Sequence, residues 1–149
     1  MKRSLAVTLG ALLVVAVAGI ANAMDEEVVT VNIPFQFTVN EKVLPAGKYE
    51  ISYTDLTEEN LMRIRDLEKL GEETNFVVED LAAPKAPDKS ELVFDEIGNQ
   101  HFLRQIWIEG QDEGHQLAET KAEKALMDKG STKAPKRVPA EHAKHKAMK

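Results

Sequence analysis

Cysteine is missing from all 149 residues, and that one absence excludes thiol nucleophiles, disulfide scaffolds, thiolate zinc sites, cluster ligation and a lipid-modified cysteine anchor. Aromatic residues are few, at 5% with one Trp and two Tyr. Serine is nearly as scarce: beyond Ser4 the chain has only Ser52, Ser90 and Ser131, and none stands in the Gly-x-Ser-x-Gly turn of a serine hydrolase. Basic charge falls short of acidic charge, 19 Lys and Arg against 25 Asp and Glu, for a net −6 and a pI near 5.3. That balance argues against a general nucleic-acid binder, whose affinity rests on clustered cations. No internal repeat suggests a solenoid or propeller. What is present, 43% hydrophobic and 30% charged residues, suits one ordinary domain with extras.

The first extra is an N-terminal leader. Lys2 and Arg3 precede an uncharged stretch over residues 5–20, and Ala21-Asn22-Ala23 supplies the small-x-small pattern of a cleavage site. Together these predict a signal peptide over residues 1–23. An uncleaved anchor is the rival reading, because the apolar stretch approaches a membrane-spanning length. Both leave the body outside the cytoplasm, so the expected location is exported, periplasmic or extracellular. No transmembrane segment is expected after cleavage. The remaining 126 residues suffice for a core without disulfides.

The second extra is a charge split. From Lys121 onward there are nine Lys or Arg against three Asp or Glu, a net +6, whereas residues 24–120 carry 8 basic and 22 acidic groups, a net −14. Residues 130–149 hold one valine, one methionine and no larger aliphatic or aromatic residue. Such a segment buries too little to order itself, and a disordered basic tail is expected there.

Between the extras the period is two. Val29, Val31, Ile33, Phe35, Phe37 and Val39 alternate with polar residues and Pro34, predicting strand with an edge or a break near residue 34. Leu44-Pro45-Ala46-Gly47 has the residues of a type I turn. Tyr49, Ile51 and Tyr53 then share one strand face opposite Lys48, Glu50 and Ser52. Residues 61–66 and 75–79 read as further strands, although Leu61, Ile64, Leu67 and Leu70 also have helical spacing, so strand and helix compete over residues 58–70. A proline-punctuated loop follows over residues 82–87.

Gly98-Asn99 between two apolar runs is a hairpin signal that sets Phe94 opposite Leu103 and Glu96 opposite His101. The second run, residues 100–109, is apolar on both faces near its end, with Leu103 and Trp107 on one side and Phe102, Ile106 and Ile108 on the other. Such a strand is central in a sheet that a second layer covers. Residues 117–129 predict a helix that stops before Gly130 and gathers Ala118, Ala122, Ala125 and Leu126 on one face. The expected fold is mainly β: a single antiparallel β-sandwich or flattened barrel of about seven strands with one C-terminal helix. The expected domain is residues 24–129.

Pro34-Phe35-Gln36-Phe37-Thr38-Val39, Leu44-Pro45-Ala46-Gly47-Lys48-Tyr49, Leu92-Val93-Phe94, Gly98 and Phe102-Leu103 together resemble an uncharacterised family of small exported bacterial β-domain proteins with a PFxF…LPAGxY…LxF…G…FL pattern. The resemblance spans residues 27–125. It implies a compact β domain whose pattern residues are turn formers and core aromatics, and it carries over no activity and no catalytic residue.

Candidate chemistry is sparse. His101 is expected to pair with Glu96 across the hairpin. The loop over residues 109–115 holds three acids and His115 but has neither the calcium-hand nor the zinc-helix spacing, so it reads as a solvated connection with a weak divalent site as the alternative. His142 and His145 would bind nickel or copper if their segment became helical. No catalytic residue, metal ligand or cofactor is expected. Tyr49, Ile51, Tyr53 and Trp107 are the possible apolar ligand face if the fold opens into a barrel cavity, and plain core if it does not. The functional expectation is an exported non-enzymatic structural or binding module. The alternatives are a carrier of an apolar small molecule and a hydrolase built on His101 or His115 with several carboxylates. For partners, the basic tail suggests weak, salt-sensitive contact with an envelope polyanion, set against a purely solubilising tail.

Overall fold

The computed structural model describes residues 29–54 and 60–142; the leader expected over residues 1–23 lies outside them. Eleven strands and one helix follow the order β1 (Val29–Ile33), β2 (Phe37–Val39), β3 (Lys42–Leu44), β4 (Gly47–Tyr53), β5 (Leu61–Asp66), β6 (Glu73–Val77), β7 (Glu79–Ala82), β8 (Glu91–Ile97), β9 (Gln100–Trp107), β10 (Glu113–Gln116), α1 (Lys121–Asp128) and β11 (Lys133–His142). They form one sheet in the order β3-β2-β9-β8-β11-β1-β4-β5-β6, with β10 joining β9 to β7. The sheet curls until it is nearly closed into a barrel. Every pairing is antiparallel except β2 with β9, so the all-antiparallel expectation is corrected at that one contact.

The expected break at Pro34 is real. β1 ends at Ile33 beside β4 and β11, and the chain crosses to pair β2 with β9. Phe35 lies in the crossing, edge-on to Phe94 at 5.0 Å and stacked on His101 at 3.9 Å. Across the hairpin, Phe94 opposes Leu103 and Glu96 opposes His101, as expected, with Gly98 at φ 60 in the turn. Residues 61–66 are strand, which decides against the helix. The helix spacing there came from Leu67 and Leu70, of which Leu70 is 94% exposed in a turn.

The strand count is eleven instead of seven because four short or polar strands lack a readable alternation. β3 follows a two-residue connection in which Asn40 and Glu41 both have positive φ, 46 and 66, the type I′ geometry that matches strand twist. β7 and β10 pair with each other, so the expected solvated loop over residues 109–115 is half strand. The largest correction is β11. Residues 133–142 of the expected disordered tail run beside β8 over seven rungs and beside β1 over three; residues 143–149 lie outside the described residues. Only Val138 of this strand is buried. A strand in a ladder satisfies its backbone through its neighbours, so it needs little apolar content of its own.

The interior is a single cluster. Val29, Val31, Ile33, Tyr49, Ile51, Met62, Ile64 and Phe76 from one half meet Phe37, Val39, Leu44, Leu92, Phe94, Leu103, Ile106, Ile108 and Val138 from the other. Tyr49 is edge-on to Phe37 at 5.1 Å, and its hydroxyl donates to the Pro45 carbonyl at 2.6 Å, which anchors the connection between β3 and β4.

Candidate functional site

The register of β8 with β9 slips at Val93 and Phe94: Val93 opposes Gln105, Phe94 opposes Leu103, and Arg104 has no opposite residue. This extra residue is a bulge, which turns the side-chain alternation over within one strand. Leu103, Ile106 and Ile108 therefore all join the core, while Phe102 and Trp107 do not. The expected division, Leu103 with Trp107 against Phe102 with Ile106, is corrected for that reason.

The bulge aims Arg104 at the outer face, under the chain leading into α1. Its Nε donates to Asp95 Oδ2 at 2.6 Å, one terminal nitrogen to the Leu117 carbonyl at 2.8 Å and the other to Glu123 Oε1 at 2.6 Å. Glu119 stands 3.7 Å away. Glu123 also closes the first turn of α1: its Oε2 accepts from the Thr120 N–H at 2.6 Å, and Thr120 Oγ1 accepts from the Glu123 N–H at 3.1 Å, a capping box. Lys133 of β11 completes the group, 2.8 Å from Glu119 and 3.4 Å from Asp95. The Lys133 hydrogen bond holds the Glu119 carboxyl below the usual carboxylate range, and the same bond holds the Lys133 ammonium above its usual value.

Helix α1 thus docks through a carboxylate. Glu123 is its buried residue, and Ala122 and Ala125 of the expected apolar face are exposed. The helix begins at Lys121, since Thr120 is its extended N-cap, and residues 117–119 before it, starting at the buried Leu117, are not helical. Val93, Ile97 and Phe102 are buried on this outer face. All three Arg104 nitrogens are engaged by the protein, so the arrangement fixes the helix to the sheet and is suited to a structural tie.

A second polar group lies on the other side of β9. Tyr53 Oη sits 2.5 Å from His115 Nε2 with the rings edge-on, and His115 Nδ1 is 3.5 Å from Asp80 Oδ1. With its proton on Nδ1, toward Asp80, the imidazole accepts from the phenol at Nε2. The contact ties β4 to β10. Trp107, on the opposite face of β9, covers Gly114, where an added Cβ would lie 2.5 Å from the indole. The indole N–H donates to Gln105 Oε1 at 3.1 Å.

The four residues of the possible ligand face do not converge. Tyr49 and Ile51 are 1% and 0% exposed in the core, Tyr53 packs against that core at its His115 contact, and Trp107 stands outside it. Burial first, then the charges of Asp66, Glu72 and Glu68, pushes the Tyr49 hydroxyl up to about 12, so it is a neutral donor throughout the physiological range. A small cleft opens at the unclosed seam between β3 and β6, with Lys42, Leu44, Glu73 and Thr74 as walls and Tyr49 and Ile64 beneath. His101 pairs with Glu96 at 3.0 Å, as expected. His142 ends β11 in extended chain, and His145, its partner in the expected helical pairing, lies outside the described residues. Among the described residues no group of three His, Asp or Glu is placed to hold a metal ion, and no helix is long and apolar enough to cross a membrane.

Sequence reasoning passed over Arg104 and Asp95, and it named Tyr53 and His115 without bringing them together. One signal was available: Thr120-x-x-Glu123 is a capping-box pattern. Comparison with family models, curated proteins and solved structures returns no match to this chain.

Proposed function

We propose that the protein is an exported, non-enzymatic structural or binding module that meets its partners on the outside of the barrel. The observation that supports this reading is the filled interior: Tyr49, Phe37, Phe76 and Phe94 are among the largest fully buried side chains, and the inner faces of both halves belong to one cluster. A small barrel whose interior is filled by its own side chains leaves contact with partners to its surface. The hydrolase alternative is weakened by the placement of the histidines, since His101 is stacked beneath Phe35 with one carboxylate and His115 points at Tyr53. Export rests on the leader residues Lys2, Arg3 and Ala21-Asn22-Ala23. The polyanion contact rests on a reduced set of cations, because Lys133 is spent on Glu119 and Asp95, and Arg137 on Glu91.

Native mass spectrometry of the protein purified from its source tests the reading. The expected result is a chain beginning at Met24, carrying a macromolecular partner or none. A stoichiometric apolar small molecule would replace the module with the carrier, and a full-length cytoplasmic species would remove export.

A further inference from the structure

β11 is the last described strand and follows α1 through residues 129–132. Helix α1 ends in a Schellman motif, with Ser131 N–H bonded to the Leu126 carbonyl, Gly130 N–H to the Met127 carbonyl, and Gly130 at φ 85. A glycine in the left-handed region is a backbone pivot. Beyond it, β11 fills a slot between β8 and β1 while burying one apolar side chain, Val138. Its withdrawal would remove Val138 and the partly buried Ala140 from the core and would leave two sheet edges without partners. Unpaired edges are templates for another strand.

The two edges of β11 differ. The Ala140 N–H bonds to the Ser90 carbonyl. Because antiparallel pairs alternate, residues 134, 136, 138 and 140 direct their backbone groups at β8, and 133, 135, 137 and 139 direct theirs away. Pro135 and Pro139 fall on the outward phase, where they sacrifice no ladder bond. They also remove donors from the stretch that extends past β1, whose pairing with β11 covers only residues 140–142. One edge is blunted by proline and charge, and the other is fully competent. The strand therefore pairs along most of its length with β8, which contains no proline, and with β1 only over residues 140–142. The side-chain code is local to strand and slot: Lys133 with Glu119 and Asp95, and Arg137 with Glu91. Any copy of the chain offers the same slot.

We propose that β11 exchanges between copies of this chain, the strand of one copy seating between β8 and β1 of another to form strand-exchanged oligomers. This stands apart from the module reading and does not require export. Exchange reproduces every bond of the closed form in trans, so it adds only the connection as new structure. Screening by salt weakens the exposed ion pairs and speeds exchange.

The absence of cysteine permits a direct test. Val93 and Arg137 oppose one another between β8 and β11 on the outward phase, and a chain bearing both Val93→Cys and Arg137→Cys should close an internal disulfide. A full-length chain with Val93→Cys is then mixed with a differently tagged full-length chain with Arg137→Cys under mild oxidation. The expected result is a disulfide-linked heterodimer whose rate of appearance rises several-fold with salt. Internal closure in the double variant without a heterodimer in the mixture would overturn the proposal. If the double variant does not close, native mass spectrometry of mixed isotope-labelled and unlabelled wild-type chains decides: dimers of intermediate mass support exchange, and monomers alone or unmixed dimers overturn it.

Discussion

The two faces of the β8–β9 hairpin are held by different forces. Inward, Leu92, Phe94, Leu103 and Ile106 join the barrel core, where hydrophobic burial is non-directional and tolerant of detail. Outward, Val93, Ile97 and Phe102 flank Arg104, which is 8% exposed and bound to Asp95, Glu123 and the Leu117 carbonyl. A buried charge costs free energy unless its geometry is satisfied, so the outer face depends on a few particular atoms and the inner one on total apolar area.

The sharpest test of that contrast removes one anchor from each face. Phe94→Ala should destabilise by about 3–5 kcal/mol through lost burial and a cavity. Arg104→Ala should cost about 3–5 kcal/mol because Glu123 remains buried without its cation and Asp95 keeps only Lys133, 3.4 Å away. The faces separate on the second change. Asp95→Leu and Glu123→Gln added to Arg104→Met should recover most of the loss, since no charge is then left buried, and Gln still closes the Thr120 cap. Urea midpoints measure all three. A neutralised variant as unstable as Arg104→Ala would show that the arginine acts through packing.

The same contrast explains what could be read beforehand. Alternation at Val29, Val31, Ile33, Tyr49 and Ile51 reports a face buried against apolar neighbours, and the hairpin at Gly98 follows from turn chemistry. Those elements were legible. The bulge at Arg104 leaves no mark in composition, and it inverts the faces of every residue after it. β11 was illegible for a different reason: its partners Glu91, Glu119 and the β8 backbone are distant in sequence, and its own composition resembles a solvated tail. Likewise, the contact of Tyr53 with His115 spans 62 residues and depends on which strands become neighbours.

On the inner face, Tyr49 provides a pH test. Its hydroxyl is raised to about 12 from the ordinary tyrosine value of about 10, so above pH 10 the unfolded phenol ionises while the folded one stays neutral. Stability should fall by about 3 kcal/mol between pH 10 and 12. Tyr49→Phe should flatten that difference, at a cost near neutral pH of about 0.5–1.5 kcal/mol for the lost bond to Pro45. Guanidinium melts across this window compare the two proteins. Parallel curves would show the phenol to be accessible in the folded state.

On the outer face, Gly114 is set by Trp107. The missing Cβ leaves the space the indole occupies, so Gly114→Ala should cost about 1–3 kcal/mol by overpacking. Trp107→Leu in the same chain should return part of it. A double-mutant cycle with no coupling would remove the indole as the cause.

The smallest effect lies at the rim of the Arg104 group. Lys133 and Glu119 are 29% and 45% exposed as side chains, and an ion pair this open contributes at most about 1 kcal/mol. The lowered Glu119 carboxyl makes its contribution present above the ordinary carboxylate range and lost as pH falls through its depressed value. The raised Lys133 ammonium makes its contribution present below the ordinary lysine range and lost as pH rises through its elevated value. The pair therefore adds a shallow plateau across neutral pH, screened by salt. Lys133→Met should lower the neutral melting temperature slightly at low salt and leave it unchanged at high salt. A large, salt-insensitive loss would instead place Lys133 inside the buried group, as a second counterion of Asp95, and would move the boundary between the two kinds of packing out to β11.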